Sequence, residues 1–283
     1  MKEFWKKVSK RMATLVVCAT MIAPNASYVF ADDQTNNQAN TNQNDWLDKA
    51  TVPTGWITMS ADANVLGMGF IKEPVRVPFY YSPSEISNDN YESLMKRFIG
   101  SQNIKFSSHR NGNLNRTPDF PNSIKLEDPS KFKDANNFTL PEIIKNSIGK
   151  DYDLKAISDD CLKNGNCVNT SFWAWSINNV IPFDIFNGYM KEYTQASDVK
   201  AEDGDVLRLQ FSTVNHPFKD LGLAGYSDTS LYEAADYSKL LEQVANINSS
   251  SNKQRLLANK DIKDAYDEAN NILTSITEKK RSS

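Results

Sequence analysis

Residues 171–179, SFWAWSINN, constrain the fold of this 283-residue chain more than any other stretch. Side chains of an extended strand alternate between two faces, so Trp173, Trp175 and Ile177 share one face. A face with two indole rings is most readily placed in a hydrophobic core, and we predict a strand with this face buried. The alternative is that Trp173 or Trp175 forms the aromatic wall of a ligand cleft.

A second strand is predicted in residues 203–212, DGDVLRLQFS, with Asp203 and Gly204 as its turn signal. Asn178 and Asn179 are expected to form the turn that ends the tryptophan strand, because asparagine tolerates turn conformations. The segment between the two strands, residues 182–193, is predicted to be a variable loop.

Upstream patterns indicate one more strand and two helices. Residues 73–81, EPVRVPFYY, alternate in the manner of a strand, and their two prolines predict either a sheet edge or an interruption by a bulge. Residues 88–100 have an amphipathic helical period, capped by Ser87 or Asn88 and ended by Gly100. Residues 107–137 are expected to form a long irregular connection, followed by a short helix in residues 140–149 that begins near Pro141.

The C-terminal part has two apolar stripes with helical spacing, separated by asparagine and serine residues at 248–252. They predict an antiparallel helical hairpin in residues 227–283, which follows a mixed α+β domain in residues 52–226. A spacer or lid and a dedicated binding module are the two roles considered for this hairpin.

Residues 1–31 resemble a secretory signal, with a basic start, a short apolar run and cleavage expected after Ala31. Residues 32–51 are a polar spacer. Without the five basic residues and one acidic residue of the signal, 27 basic residues stand against 34 acidic ones, a net charge of −7. This charge disfavours nucleic acid as a partner. No later run is apolar enough to predict a membrane span, so we expect a secreted or surface-held protein.

Few residues offer familiar catalytic chemistry. The chain has two histidines, His109 and His216, and no HExxH or GxSxG motif, so we predict that it is not an enzyme and holds no metal. A glycan hydrolase that uses two carboxylates is the enzymatic alternative. Cys161 and Cys167 remain after signal cleavage and predict a disulfide, with a free pair or a metal site as alternatives.

The motifs in combination resemble a known family. GMGFIKEPVRVPFYY, SFWAWSINN, EDGDVLRLQFS and KDLG are similar to the transcobalamin-like C-terminal domain of bacterial surface proteins, a domain of unknown function. Phe172 stands where that family usually has glycine, whereas Trp173, Asn178 and Asn179 match. The resemblance covers residues 55–225, and the helical tail is similar to segments that often follow this domain.

The resemblance implies a β-grasp-like fold and extracellular binding rather than catalysis. The resemblance does not by itself carry cobalamin across; a corrinoid is the sharpest small-molecule candidate, and a wall glycan or a neighbouring protein is the broader alternative. The candidate contact residues are Trp173, Trp175, Asn178, Asn179, Phe183, Phe186 and Tyr189. The loop in residues 182–193 is the expected source of specificity, because binding residues are concentrated in loops. A structural spacer module of the cell envelope is the competing prediction.

Overall fold

The computed structural model describes residues 53–81, 89–106, 121–148, 153–168, 170–181, 183–186, 189–193, 199–213, 219–223 and 231–276. For 183–186 and 189–193 it describes the path of the backbone. The predicted signal and spacer, residues 1–51, and the boundary predicted at residue 226 lie outside the described part of the chain.

A four-stranded mixed sheet forms the centre of the molecule. Its strands are β1 (Gly55–Asp62), β2 (Phe70–Phe79), β6 (Phe172–Ile177) and β9 (Val206–Ser212), and they lie in the order β2-β1-β9-β6. The central pair β1 and β9 is parallel, and the two outer pairs are antiparallel. Both strands predicted from the tryptophan and DGDV motifs are present, and they are neighbours.

One face of this sheet is apolar, because residues paired across neighbouring strands point to the same side. Met59 pairs with Leu207, Trp175 pairs with Leu209, and Trp173 pairs with Phe211. Helix α1 (Tyr91–Ile99) contributes to the same hydrophobic core. The predicted stripe is buried, and Ile99 is buried beside it; the stripe consists of Tyr91, Leu94, Met95 and Phe98. The fold is therefore mixed α+β, as predicted.

The cap predicted for α1 at Ser87 or Asn88 is wrong. Asn90 is the N-cap, and its side chain accepts a hydrogen bond from the Ser93 amide at 2.9 Å. The Ser93 hydroxyl accepts in return from the Asn90 amide at 3.1 Å, which completes a capping box. The helix ends at Gly100, as predicted, where φ is 96°.

Residues 121–137 are more regular than the sequence predicts. A second sheet contains β3 (Ile104–Phe106), β4 (Pro121–Lys125) and β5 (Cys161–Lys163) in that order, and each neighbouring pair is antiparallel. Strand β4 falls inside the predicted irregular connection, and its PNSIK sequence lacks the alternation that would reveal a strand. The predicted short helix follows as α2 (Glu142–Ile148).

The described residues of the C-terminal part, 231–276, contain three helices rather than two: α3 (Ser238–Asn248), α4 (Lys253–Leu257) and α5 (Lys260–Leu273). The apolar stripes predicted the two longer helices. Helix α3 packs mainly on β2, and its apolar side chains form a second hydrophobic core with Val206 and Phe70 of the sheet. The apolar faces of these helices therefore cover the sheet as well as each other.

The edge strand β2 is closed by the end of α3. Ser249 Oγ accepts a hydrogen bond from the Arg76 amide at 2.7 Å, and Asn248 Nδ2 donates to the Pro74 carbonyl at 2.8 Å. Pro74 and Pro78 have no amide hydrogen to offer a further strand. Their position on the edge strand confirms the prediction made from the prolines.

Candidate functional site

Both tryptophans of the SFWAWSINN motif belong to the core, since Trp173 and Trp175 are 0% exposed. Trp173 Nε1 donates a hydrogen bond to the Leu162 carbonyl at 2.8 Å, which joins the two sheets. The Trp175 ring lies 5.8 Å from that of Tyr91, between centroids. The core interpretation is confirmed, and neither indole is available as a cleft wall in this structure.

Asn178 and Asn179 form the predicted turn. Both have positive φ angles, 49° and 63°, and Ile177 and Val180 on either side exchange two backbone hydrogen bonds. Two consecutive residues with positive φ are typical of a tight type I′ hairpin turn, in which asparagine is favoured. These asparagines therefore set the direction in which the chain leaves β6.

The Asn178 side chain also fastens this turn to the start of β9. Its Oδ1 accepts from the Val206 amide, and its Nδ2 donates to Asp205 Oδ1, both at 2.9 Å. Asp205 Oδ2 accepts from the Glu202 amide at 2.7 Å and from the Tyr91 hydroxyl. Burial and this bond to Asp205 raise the pKa of Tyr91, so its hydroxyl remains a donor.

The two motif segments thus meet in one clamp, which consists of the buried residues Tyr91 and Asp205 and the exposed Asn178. Asp205 is 8% exposed, and its carboxylate is satisfied by donors from three parts of the chain. Sequence reasoning singled out Asn178 as a candidate ligand contact. In the structure its side-chain amide donates to Asp205 and accepts from Val206, so it fastens the turn, while its role as a ligand contact stays a prediction.

The segment predicted to be a loop at residues 182–193 contains an antiparallel hairpin. Strand β7 (Phe183–Phe186) pairs with β8 (Tyr189–Tyr193), with Phe183 opposite Tyr193 and Phe186 opposite Tyr189. Within the described residues, β7 and β8 pair with each other alone. The side chains of the candidates Phe183, Phe186 and Tyr189 lie outside the description.

Cys161 and Cys167 are free thiols, so the predicted disulfide is not formed in this structure. Hydrogen bonds hold the connection between them instead: the Gly165 amide donates to the Ser171 carbonyl at 2.8 Å, and the Ser171 hydroxyl donates to the Asn166 carbonyl. Burial raises the pKa of Cys167 to about 12, which keeps it a thiol at neutral pH. The entry into β6 is thereby fixed without a covalent bond.

The other face of the central sheet is polar and yet buried, a feature that sequence reasoning missed. Arg208 Nη2 donates to Asp62 Oδ2 at 2.9 Å, and their side chains are 10% and 2% exposed. Burial raises the pKa of Asp62, although the Arg208 charge partly opposes this. The one signal in the sequence was a charged residue at position 208, inside an apolar strand. Asp62, 146 positions away, could not be paired with it in advance.

A second buried carboxylate, Asp220 of the KDLG motif, is 0% exposed. It accepts hydrogen bonds from the Ser212 hydroxyl and from the Thr213 amide, each at 2.6 Å. Burial raises the pKa of Asp220, and these bonds lower it in part. Its oxygens are committed to closing the end of β9, which gives this motif residue a structural role.

Within the described ranges, no three His, Cys, Asp or Glu side chains converge in a way that could hold a metal ion. None of the described helices combines the length and apolar character that crossing a bilayer requires.

Comparison with protein-family models, with curated proteins and with solved structures finds no match to this chain. The resemblance to the transcobalamin-like domain therefore stays a prediction that depends on the motifs alone.

Proposed function

We propose that the chain is a secreted or cell-surface, non-enzymatic binding or adhesive module, with the hairpin at residues 182–193 as its contact surface. The observation that carries the proposal is the excursion between β6 and β9. These strands are antiparallel neighbours, which a two-residue turn could join, yet the chain uses residues 178–205 between them. An inserted hairpin on a rigid sheet is a common way to present a binding surface.

The clamp supports this proposal because it fixes both ends of the excursion. Asn178 stands at its start and Asp205 at its end, and their side chains are joined at 2.9 Å. Tyr91 ties both to α1 through Asp205. A hairpin that leaves from so fixed a base loses less conformational entropy when it binds a partner than a free loop does.

The burial of the two carboxylates with raised pKa values, Asp62 and Asp220, supports the proposal that the protein is not an enzyme. Asp62 and Asp220 are 1% and 0% exposed, and Asp220 is fully engaged by Ser212 and Thr213. A glycoside hydrolase needs two carboxyl groups that flank a bond of the substrate. This pair does not offer such access, which disfavours the hydrolase alternative.

We also propose that the fold is β-grasp-like and related to the transcobalamin-like domain. A parallel central pair, β1 and β9, flanked by antiparallel β2 and β6 with α1 after β2, supports this relation. A corrinoid is the sharpest small-molecule candidate for the ligand, and a wall glycan or a neighbouring protein is the alternative. A single binding experiment with all three kinds of ligand distinguishes them.

A spacer or support module of the envelope is the second candidate. One observation favours it: among the described residues, Val180 is the single exposed large hydrophobic side chain, at 46%. Surfaces that bind partners usually present a larger apolar patch. The hairpin side chains decide between the two functions, since they would supply that patch.

The experiment replaces residues 182–193 by a short Gly/Ser connection and measures binding to cyanocobalamin, cell-wall material and host matrix proteins. We expect the parent to bind one of the three and the variant to lose that binding. Val180→Ser is the matched control, because it alters the exposed side chain beside the hairpin and leaves the hairpin intact. Equal unfolding free energies of parent and variant show that the sheet is preserved.

Three outcomes would contradict the proposal. Binding that persists in the Gly/Ser variant removes the hairpin as the contact surface. Absence of binding to all three materials by the parent favours the spacer function. Turnover of glycan or peptide by the purified parent contradicts the non-enzymatic assignment.

A further inference from the structure

A cavity of about 30 Å³ lies in a partly open cleft at the end of the central sheet. Asp62 of β1 and Arg208 of β9 form its polar side. Tyr237, just before α3, and Leu273, the last residue of α5, line it from the helical side. The cleft is therefore enclosed by the sheet and by the C-terminal helices together.

Two polar groups of this cavity are without partners. Arg208 is 8% exposed and has five N–H donors, of which Nη2 bonds to Asp62, whereas Nε has no acceptor in the described part of the chain. Asn64 is 7% exposed, and its Oδ1 accepts from no described donor, although its Nδ2 bonds to the Leu273 carbonyl. An unpaired donor and an unpaired acceptor thus line one cavity, and buried groups of this kind normally find partners.

The charges select against an ionic occupant. Asp62 already balances Arg208, so an anion that approached the guanidinium would be repelled by the Asp62 carboxylate. A cation would compete with Arg208 for that same carboxylate. The rest of the wall includes the polar residues Gln210 and Ser275 and the half-buried apolar residues Ala235 and Ile276. An uncharged group with one acceptor and one donor, attached to an apolar body, matches these surroundings.

We propose that this cleft is a second binding site, distinct from the hairpin, for a small and mostly apolar molecule that ends in an uncharged carboxamide. The carbonyl oxygen of the ligand accepts from Arg208, and its NH₂ group donates to Asn64 Oδ1 after a small rotation of these side chains. The narrow cavity receives the carboxamide head, while the apolar part lies outside it along the half-buried Ala235 and Ile276. A small molecule rather than a folded partner fits a cavity of this size.

The test titrates the full chain with four probes of similar size and follows the NMR shifts. Butyramide has both the donor and the acceptor, 2-pentanone has the acceptor alone, butyrate is an anion and n-butylamine is a cation. We expect butyramide to bind in the millimolar range that its few heavy atoms permit. The other three should bind about tenfold more weakly or not at all, the loss expected for one hydrogen bond.

A substitution in the cavity wall tests whether butyramide binds in this cavity. Ala234 lines the cavity and is half-buried, so Ala234→Leu fills the space without altering a polar group. It should remove butyramide binding, whereas Ala258→Leu, at an exposed alanine away from the cavity, should leave it unchanged. Equal affinity for all four probes, no butyramide binding by the parent, or binding that persists in Ala234→Leu overturns the proposal. The probe series needs only the parent protein, so it decides even if Ala234→Leu does not fold.

Discussion

Asp205 is a buried residue on which hydrogen bonds from three parts of the chain converge. Its carboxylate accepts from the Tyr91 hydroxyl, the Asn178 side-chain amide and the Glu202 backbone amide. The sequence marked this aspartate as part of a DGDV motif. The structure adds the chemical reason: a carboxylate has several lone pairs, so this one buried side chain can accept from three donors at once.

The clamp leads to the first prediction at the residue scale. Asp205→Ala leaves these donors unpaired and should lower the free energy of unfolding by about 3–5 kcal/mol. Asp203→Ala is the matched control, because exposed Asp203 accepts a single bond, from the Trp56 amide at 2.8 Å. The control should lose about 1 kcal/mol or less. Urea unfolding measures both, and equal losses would refute the clamp.

The two tryptophans are equally buried but differ in their hydrogen bonds. Trp173 Nε1 donates to the Leu162 carbonyl, whereas Trp175 Nε1 has no acceptor in the described part of the chain. Replacement by Phe removes similar volume at both sites, but only Trp173→Phe deprives a buried carbonyl of its donor. We expect Trp173→Phe to destabilise the protein by about 1 kcal/mol more than Trp175→Phe. Equal unfolding midpoints for the two variants would contradict this difference.

Helix α3 is the element that connects the helical segment to the sheet. Asn248 near its end donates to the Pro74 carbonyl at 2.8 Å and accepts from the Tyr266 hydroxyl at 2.7 Å. One side chain thus joins β2, α3 and α5. The contact also satisfies an edge carbonyl that could otherwise pair with another chain.

The corresponding prediction concerns Asn248→Ala, which removes both bonds and should lower the free energy of unfolding by about 2 kcal/mol. Asn252→Ala, at an exposed asparagine in the connection that follows, should change stability by less than about 0.5 kcal/mol. Thermal unfolding provides the comparison. A loss of the same size in both variants would show that α3 is held by its apolar face alone.

At the scale of the whole molecule, the helices complete the sheet. Leu240, Leu241, Val244 and Ile247 of α3 are each at most 3% exposed, in a core shared with Val206 and Phe70. Burial of four such side chains contributes about 6–12 kcal/mol, which is comparable to the whole stability of a typical domain. The sheet therefore depends on a segment that the sequence suggested as a separate hairpin.

We predict that residues 52–226 alone do not give the cooperative unfolding transition of the full chain, because removal of 227–283 uncovers this core. The control lacks residues 32–51 instead, the predicted spacer, and should unfold like the parent. Circular dichroism during urea titration distinguishes the two. An unchanged midpoint and slope for residues 52–226 would show that the helical segment is an independent unit.

Local patterns allowed much of this architecture to be predicted. Alternation predicted β2, β6 and β9, helical periodicity predicted α1, α3 and α5, and the asparagine pair predicted its turn, since each depends on residues close in the sequence. Strand β4 was not predicted, because its pairing with β3 and β5 stabilises it and its own sequence has no alternation of apolar and polar residues. The hairpin of β7 and β8 was not predicted, because the sequence of a short aromatic segment does not show which strand it pairs with.

The amino-acid sequence by itself determined the α+β composition, the turn at Asn178 and Asn179, and the core position of the two tryptophans. Only the tertiary structure decided that Asp205 joins Asn178 and Tyr91, that Arg208 pairs with Asp62, and that α3 covers the sheet. The physical reason is separation along the chain: Arg208 and Asp62 lie 146 positions apart. A charge or donor in a strand shows that a partner is needed, and folding alone determines which residue supplies it.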